Sequence, residues 1–166
     1  MSVGEAASTR ATSARTSISR AAERIARSAG SGFLFGVFGV GAVVLAAALL
    51  PAARLRAWSG ESADLVAQRW ISRAFAVFIR LGRSIGIWDF EVHGFERLQP
   101  GGMLIVANHP TLIDVVLLLA RLPQCDCVVK RAAWRNPALA GIVRAAGYVP
   151  NDDGPAMIDA CVERLR

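Results

Sequence analysis

A long stretch without charge restricts the fold of this chain more than any other feature. No charged residue occurs between Arg27 and Arg54, and an apolar run within residues 28–53 ends at Pro51. About 20 apolar residues suffice to cross the hydrocarbon core of a bilayer. Glycines within the stretch also permit a re-entrant or monotopic segment (Gly36, Gly39 and Gly41). We therefore expect residues 28–53 to be embedded in a membrane, either spanning it or dipping into it.

The positive charge of the chain lies in its N-terminal half. The net charge of +6 divides into +7 for residues 1–83 and −1 for residues 84–166. The arginines of the first half flank the apolar stretch, and no zinc-finger spacing or interleaving of basic and aromatic residues indicates nucleic-acid binding. The expected partner is a bilayer with anionic lipids, and no nucleic acid is expected. Three cysteines without framework spacing favour a reducing compartment.

Residues 1–27 are rich in alanine, serine, threonine and arginine, with almost nothing that could pack as a core. This composition predicts a flexible basic leader with a helix over residues 17–27, although it also matches a transit peptide. Arginines both precede and follow the apolar stretch, so charge counting leaves its orientation open. We expect the protein at the cell (inner) membrane, with its C-terminal part on the cytoplasmic face.

Residues 54–87 contain an amphipathic pattern that predicts a helix over residues 62–85. Four arginines fall within a sector about 80° wide, opposite an apolar face (Arg69, Arg73, Arg80 and Arg83). One interpretation is an ordinary surface helix that covers a core. The other is an interfacial helix, with its arginines at lipid phosphates and Trp70 and Phe78 in the acyl boundary. Both interpretations are compatible if the helix lies between the bilayer and the rest of the protein.

Residues 88–166 show short strands that alternate with helices. The pattern predicts strands at residues 90–93, 103–107, 125–130 and 148–150. It predicts helices over residues 112–122 and 137–146, the second ended by Gly147, and a last helix that begins at Gly154 and Pro155. The predicted fold class is therefore α/β, with an incomplete, mainly parallel layer in which residues 103–107 form a buried strand.

The candidate chemistry follows the strand predicted at residues 103–107. His109 would lie at its C-terminal end, where open α/β sheets place their sites, and Asp114 would lie in the first turn of the next helix. A carboxylate there can fix the imidazole tautomer and leave the other nitrogen as a general base for an attacking alcohol. The alternative is structural, because Thr111 and Asp114 also have the spacing of a helix capping box.

The sequence Val-Ala-Asn-His-Pro-Thr-Leu-Ile-Asp at residues 106–114 resembles the His-x4-Asp block of the glycerolipid acyltransferases of the lysophosphatidic acid type. Residues 128–137 and 147–151 are similar to the second block of that family. The resemblance implies acyl transfer from acyl-CoA or acyl carrier protein to a hydroxyl of a lysophospholipid-like acceptor, within phospholipid biosynthesis. It implies that His109 is the general base and Asp114 its orienting partner. Substrate contacts are expected at four positions (Asn108, Thr111, Lys130 and Arg131), with Lys130 at an acceptor phosphate.

The third block of that family, a Phe-Pro-Glu-Gly-Thr-Arg-like segment, has no counterpart before Arg166. Two functions therefore stay open: a membrane-bound acyltransferase whose chain continues, and a truncated, catalytically silent membrane-anchored module. No bound cofactor is expected. Cys125 and Cys127 are predicted as core residues, because two thiols without further ligands make a poor zinc site.

Overall fold

The computed structural model describes residues 3–56, 60–98, 103–108, 111–152 and 154–164. The described chain is mostly helical, with one small parallel sheet. In chain order it contains α1 (Val3–Arg56), α2 (Ala63–Ser84), a short 3₁₀ helix (Phe95–Arg97), α3 (Leu112–Arg121), β1 (Val128–Lys130), α4 (Arg131–Arg135), α5 (Ala140–Ala145), β2 (Val149–Asn151) and α6 (Pro155–Arg164).

The helix α1 is longer than the sequence pattern predicts. It runs without interruption from Val3 to Arg56, so that part of the leader expected to be flexible is helical, and the helix continues past Pro51. Proline removes one backbone donor and bends a helix, but the bonds on either side can persist. Among the described residues, Arg20–Leu49 is the one segment long and apolar enough to cross a membrane, with a hydropathy of 2.3. By itself this is weak evidence for membrane association, since a signal sequence would meet the same criteria.

The amphipathic helix predicted over residues 62–85 is confirmed as α2. Its C-terminus is closed by Gly86, which takes a positive φ of 71°. The Gly86 N–H donates to the Arg83 carbonyl at 3.1 Å and the Ile87 N–H to the Gly82 carbonyl at 3.0 Å. These two bonds form a Schellman motif, which satisfies carbonyls that the helix end would otherwise leave unpaired.

The core lies between α1, α2 and α5. Eight buried residues form one cluster, drawn from these helices and the turn between α5 and β2 (Leu45, Leu49, Ala67, Ile71, Ile142, Val143, Ala146 and Tyr148). The helix α5 ends as predicted at Gly147, whose φ of 64° closes a second Schellman motif. The apolar N-terminal helix thus shares its core with the C-terminal part of the chain.

The α/β layer is smaller than predicted. The strand expected at residues 125–130 is limited to Val128–Lys130, and it pairs in parallel with Val149–Asn151. Residues 90–93 and 103–107, predicted as strands, have no strand structure. The second segment is also not buried, since Leu104 and Val106 are 75% and 87% exposed. A strand requires a neighbouring strand to pair its backbone groups, and among the described residues these two segments have none.

Candidate active site

The first turn of α3 carries the candidate acid–base pair. The Thr111 N–H donates to Asp114 Oδ2 at 2.9 Å, and the Thr111 hydroxyl donates to the same oxygen at 2.7 Å. The predicted capping box is therefore present. His109, the candidate base, lies outside the described residues, whereas Asn108 is exposed and lies just before it.

Capping and orientation of a histidine are compatible tasks for Asp114. An ionised carboxylate has two oxygens and about four lone-pair sites, and both contacts with Thr111 use Oδ2. The capping contacts hold the carboxylate at the N-terminus of α3, five positions after His109 in the chain. Capping by Asp114 therefore does not by itself exclude a hydrogen bond from an imidazole to the same carboxylate.

A second group of candidate residues lies at the carboxyl ends of the two parallel strands. Lys130 is the last residue of β1 and is in register with Asn151, the last residue of β2. In parallel sheets these ends form the usual ligand edge. Arg131 forms an ion pair with Asp152 at 2.5 Å, whereas Lys130 is exposed. The structure thus brings Lys130 and Arg131 to one edge of the sheet and joins Thr111 to Asp114 on α3.

The six residues predicted to contact the membrane have different environments. Arg69 pairs with Glu61, and Arg83 lies 3.7 Å from Asp89. Arg73 and Arg80 are exposed, and they form no ion pair with any residue that the structure describes. Trp70 is also exposed, at 43%.

Phe78, predicted to lie in the acyl boundary, contacts aromatic residues of the protein. Its ring makes an edge contact with Phe38 at 5.3 Å and a tilted contact with Trp88 at 5.5 Å. Phe38 also stacks on Phe75 at 6.1 Å. The angular pattern of α2 places Phe78 on the apolar face, and α1 contacts the part of that face that includes Phe78, whereas Trp70 and Val77 on the same face are exposed.

A polar network that the sequence analysis did not identify connects α2 with the C-terminal part. Gln68 is buried, and its amide donates to Asp126 Oδ1 at 2.9 Å and to the Ala146 carbonyl at 3.0 Å. Arg164 donates to Asp64 Oδ2 at 2.7 Å and to the Gly147 carbonyl at 2.6 Å. The one signal in the sequence was Gln68 itself, a polar residue on the apolar face of α2.

These contacts change the ionisation of the groups around the network. The hydrogen bond from Arg164 lowers the pKa of Asp64 below 3.8, against the opposing effect of burial. Burial raises the pKa of Cys127 to about 11, with smaller contributions from Cys125 and Asp126. The Cys127 thiol is therefore protonated at neutral pH, as in a packed core residue rather than a reactive nucleophile.

An open cavity of about 460 Å³ lies between β2 and α6. It is lined by residues of the loop before β2, of β2 and of α6 (Gly147, Tyr148, Val149, Pro150, Ala160, Glu163 and Arg164). None of the predicted site residues lines it. Among the described residues no group of three or more histidine, cysteine or acidic side chains could hold a metal ion.

Comparison with known proteins gives a family match in the C-terminal part of the chain. A search of curated proteins and a search of solved structures find no significant match. Residues 89–166 match the family model named Acyltransferase. The matched segment begins just after the C-terminus of α2 and contains α3, both strands and all of the candidate catalytic residues. Residues 89–166 are therefore similar to the acyltransferase family.

Proposed function

We propose that the protein is a membrane-bound acyltransferase of the lysophospholipid type. It would move an acyl chain from acyl-CoA or acyl carrier protein to a hydroxyl of a lysophospholipid-like acceptor, as a step of phospholipid biosynthesis. The observation that carries this proposal is the match of residues 89–166 to the acyltransferase family, because that segment contains His109 and Asp114.

In this mechanism His109 removes the proton of the acceptor hydroxyl while the oxygen attacks the thioester carbonyl. The carbon–sulfur bond then breaks, the thiolate leaves, and the imidazolium returns the proton to the leaving sulfur. Asp114 accepts from the other ring nitrogen and stabilises the charged imidazole, as the carboxylate of a catalytic triad does. The orienting role of Asp114 is supported by the contacts with Thr111, which hold the carboxylate at the N-terminus of α3.

Lys130 would be the main residue that binds the acceptor. It is exposed at the ligand edge of the parallel strands, where a lysine ammonium can contact a phosphate. Arg131 would contribute less, because Asp152 already neutralises its guanidinium. Asn108 would contact the substrate beside His109, and Thr111 would act through Asp114.

The proposed location is the inner membrane, with residues 89–166 on the cytoplasmic face. The support comes from the apolar segment Arg20–Leu49, of whose most apolar part only 22% is buried within the protein, and from the basic charge of the N-terminal half. A soluble core helix would be mostly buried, so an apolar and largely uncovered helix favours lipid contact.

The second candidate is a catalytically silent, membrane-anchored module. Two contacts favour it: Asp114 serves a structural role as a cap, and Asp152 occupies Arg131. Both functions retain the membrane attachment, so a measurement of the chemistry is required to distinguish them.

The test compares His109→Ala with His93→Ala, since these are the two histidines of the chain. Acyl transfer from acyl-CoA and from acyl carrier protein to lysophosphatidic acid is measured with the protein in vesicles. We expect His109→Ala to lose about 10²- to 10⁴-fold in rate, the usual contribution of a general base. His93→Ala is the matched control, because His93 is exposed and its one hydrogen-bond contact within the described part of the chain is with Glu91, at 3.2 Å.

An Asp114→Asn variant extends the same assay. Asparagine can still accept from Thr111, so α3 keeps its cap, but it cannot stabilise an imidazolium. A loss of rate with unchanged helix content supports the orienting role. Equal rates for His109→Ala and the native chain would contradict the mechanism, and a native chain without activity would establish the silent module.

A further inference from the structure

A basic surface lies on α4 and α5, next to the ligand edge of the sheet. The net charge of −1 for residues 84–166 divides into +4 for residues 128–150, which contain no acidic residue, and −5 for the remainder. All four basic side chains of residues 128–150 are exposed (Lys130, Arg131, Arg135 and Arg144). A local positive charge of this size within an otherwise acidic segment indicates a surface that attracts an anionic partner.

The two arginines of α4 share its exposed side. Ala133 and Trp134 of this helix pack against the core cluster. Arg131 and Arg135 are four positions apart, so at 100° per residue they lie about 40° from each other, on the side away from that contact. Arg131 keeps 60% of its side chain exposed although it pairs with Asp152. The helix α4 thus presents two guanidinium groups to solvent.

Arg144 extends this surface onto α5, which is in contact with α4. Ile142 and Val143 of α5 are buried in the core cluster, and Arg144 lies about 150° around the helix from the middle of that pair. Neither Arg135 nor Arg144 forms an ion pair with a residue that the structure describes. The positive charge of the surface is therefore largely uncompensated, and it lies on the side of α4 and α5 away from the core that α5 shares with α1 and α2.

The basic surface lacks the apolar side chains with which a helix enters a membrane. No large apolar side chain is exposed between residues 129 and 152, whereas α1 exposes several (Phe33, Phe35, Val40, Val43 and Val44). A surface that lies in the lipid interface combines basic residues with apolar residues that are buried in the acyl region. A water-soluble partner with acidic side chains therefore fits the basic surface better than a bilayer does.

The position and shape of the surface favour one of the two acyl donors of the proposed function. Lys130 is the last residue of β1 and directly precedes α4, so the surface begins at the ligand edge. Sites for small molecules are concave, whereas these arginines lie on the outer sides of two helices. The charges of acyl-CoA are confined to one nucleotide, but an acidic carrier protein presents carboxylates over an area that can contact both helices at once.

We propose that the exposed arginines of α4 and α5 form the docking site for an acidic acyl carrier protein, which delivers the acyl chain to the ligand edge. Carboxylates of the carrier protein pair with Arg135 and Arg144, and Arg131 lies beside them at the start of α4. The inference rests on the proposed function for the acyl transfer, but docking depends on charge alone and is measured without the reaction.

The first test measures docking in the absence of acyl transfer. Binding of fluorescently labelled acyl carrier protein, without an acyl chain, to the full chain in neutral detergent is followed by fluorescence anisotropy. We expect the double variant Arg135→Glu, Arg144→Glu to lose about 10- to 30-fold in affinity, because each substitution replaces an attraction by a repulsion. We also expect binding by the native chain to weaken as salt is added, since exposed charges are screened.

The matched control is the double variant Arg97→Glu, Arg121→Glu, which changes the net charge by the same amount. Both residues are exposed, and Arg121 is the last residue of α3, whereas the candidate acid–base pair lies at the start of that helix. We expect this variant to lose less than about 3-fold in affinity. Unchanged helix content in circular dichroism would show that both variants are folded. Equal losses for the two variants, or a native chain that does not bind the carrier protein, would overturn the proposal.

The second test separates the two donors. Acyl transfer to lysophosphatidic acid is measured for the native chain and for Arg135→Glu, Arg144→Glu, with acyl carrier protein and with acyl-CoA. We expect kcat/KM to fall about 10-fold or more with the carrier protein and less than about 3-fold with acyl-CoA. Equal losses with both donors would overturn the proposal in favour of a site for the phosphates of acyl-CoA.

A lipid surface is tested with the same variant. If Arg135→Glu, Arg144→Glu lost affinity for phosphatidylglycerol vesicles as strongly as for the carrier protein, the surface would be a lipid contact and the proposal would be wrong. A chain that transfers acyl groups from acyl-CoA but does not bind the carrier protein would contradict the docking site alone. A chain that binds the carrier protein through these arginines but transfers no acyl group would support the docking site and contradict the proposed function.

Discussion

The pair α1–α2 and the segment 103–108 both expose apolar side chains, but for different reasons. In α1 the exposed residues lie on the side of a complete helix opposite a packed interface, with Leu34 only 2% exposed on the inner side. In the segment 103–108, Leu104 and Val106 are exposed on a chain without regular structure. The first is the exposed side of a regular helix, and the second is an apolar run that has no neighbouring strand among the described residues.

The difference follows from how each structure satisfies its backbone. A helix pairs its own N–H and C=O groups within a few residues, so α1 needs no distant partner. A strand pairs with another strand, and the described sheet consists of β1 and β2 alone. The same apolar content therefore produces a helix in α1 and, among the described residues, a segment without strand pairing at residues 103–108.

The largest expected effect comes from two leucines of the segment that matches the acyltransferase family model, residues 89–166. Leu119 is 7% exposed on α3, whereas Leu104 is 75% exposed. We expect Leu119→Ala to lower the free energy of unfolding by about 2–4 kcal/mol, as for other buried leucines, and Leu104→Ala to change it by about 0.5 kcal/mol or less. Urea unfolding of the full chain in mild detergent checks both values. Similar losses for the two variants would mean that residues 103–107 are a buried strand after all.

A smaller effect is expected at the contact between α2 and Trp88. The Trp88 ring lies directly on Gly82, and its indole N–H donates to the Ile79 carbonyl at 3.1 Å. A methyl group in Gly82→Ala must displace the ring, so we expect a loss of about 1–3 kcal/mol in the free energy of unfolding.

Gly36→Ala is the matched control for that substitution. Gly36 lies in α1 with open space around it, and alanine is the better helix former. We expect no loss of stability, or a gain of up to about 1 kcal/mol. A destabilised Gly36→Ala would indicate that this face of α1 is packed, and would contradict its assignment as a lipid-facing surface.

The smallest effect concerns the ion pair between Asp64 of α2 and Arg164 of α6. Arg164 lowers the pKa of Asp64, so the folded state binds this proton less readily than the unfolded chain does. The contribution of the pair is therefore complete above about pH 4 and is lost as the pH falls through the folded-state pKa. Because both side chains are about one-third exposed, we expect less than about 1 kcal/mol.

Asp64→Asn should remove this part of the acid sensitivity. The measurement is the free energy of unfolding between pH 6 and about pH 3, where the native chain should lose more stability than the variant. Asp159→Asn is the control, because Asp159 is exposed on α6 and forms no ion pair among the described residues. Parallel pH profiles for the native chain and Asp64→Asn would show that Arg164 does not contribute through this carboxylate.

Local patterns predicted several of the helical elements, whereas the position of the candidate site stays a prediction. The angular pattern of α2, the capping box of Thr111 and Asp114, and the stop at Gly147 are each confirmed, because each depends on residues within a few positions of one another. The acyltransferase assignment likewise depended on a short run of residues, and the family match to residues 89–166 agrees with it.

Residues far apart in the chain decided the rest. The sequence by itself determined that α1 is apolar, that α2 is amphipathic and that Asp114 caps α3. Only the tertiary structure decided that α1 covers Phe78, that Glu61 occupies Arg69, and that Gln68 reaches Asp126 across 58 positions. Helical periodicity depends on residues that are close in the sequence, whereas the partner of a side chain or strand depends on which distant segment packs against it.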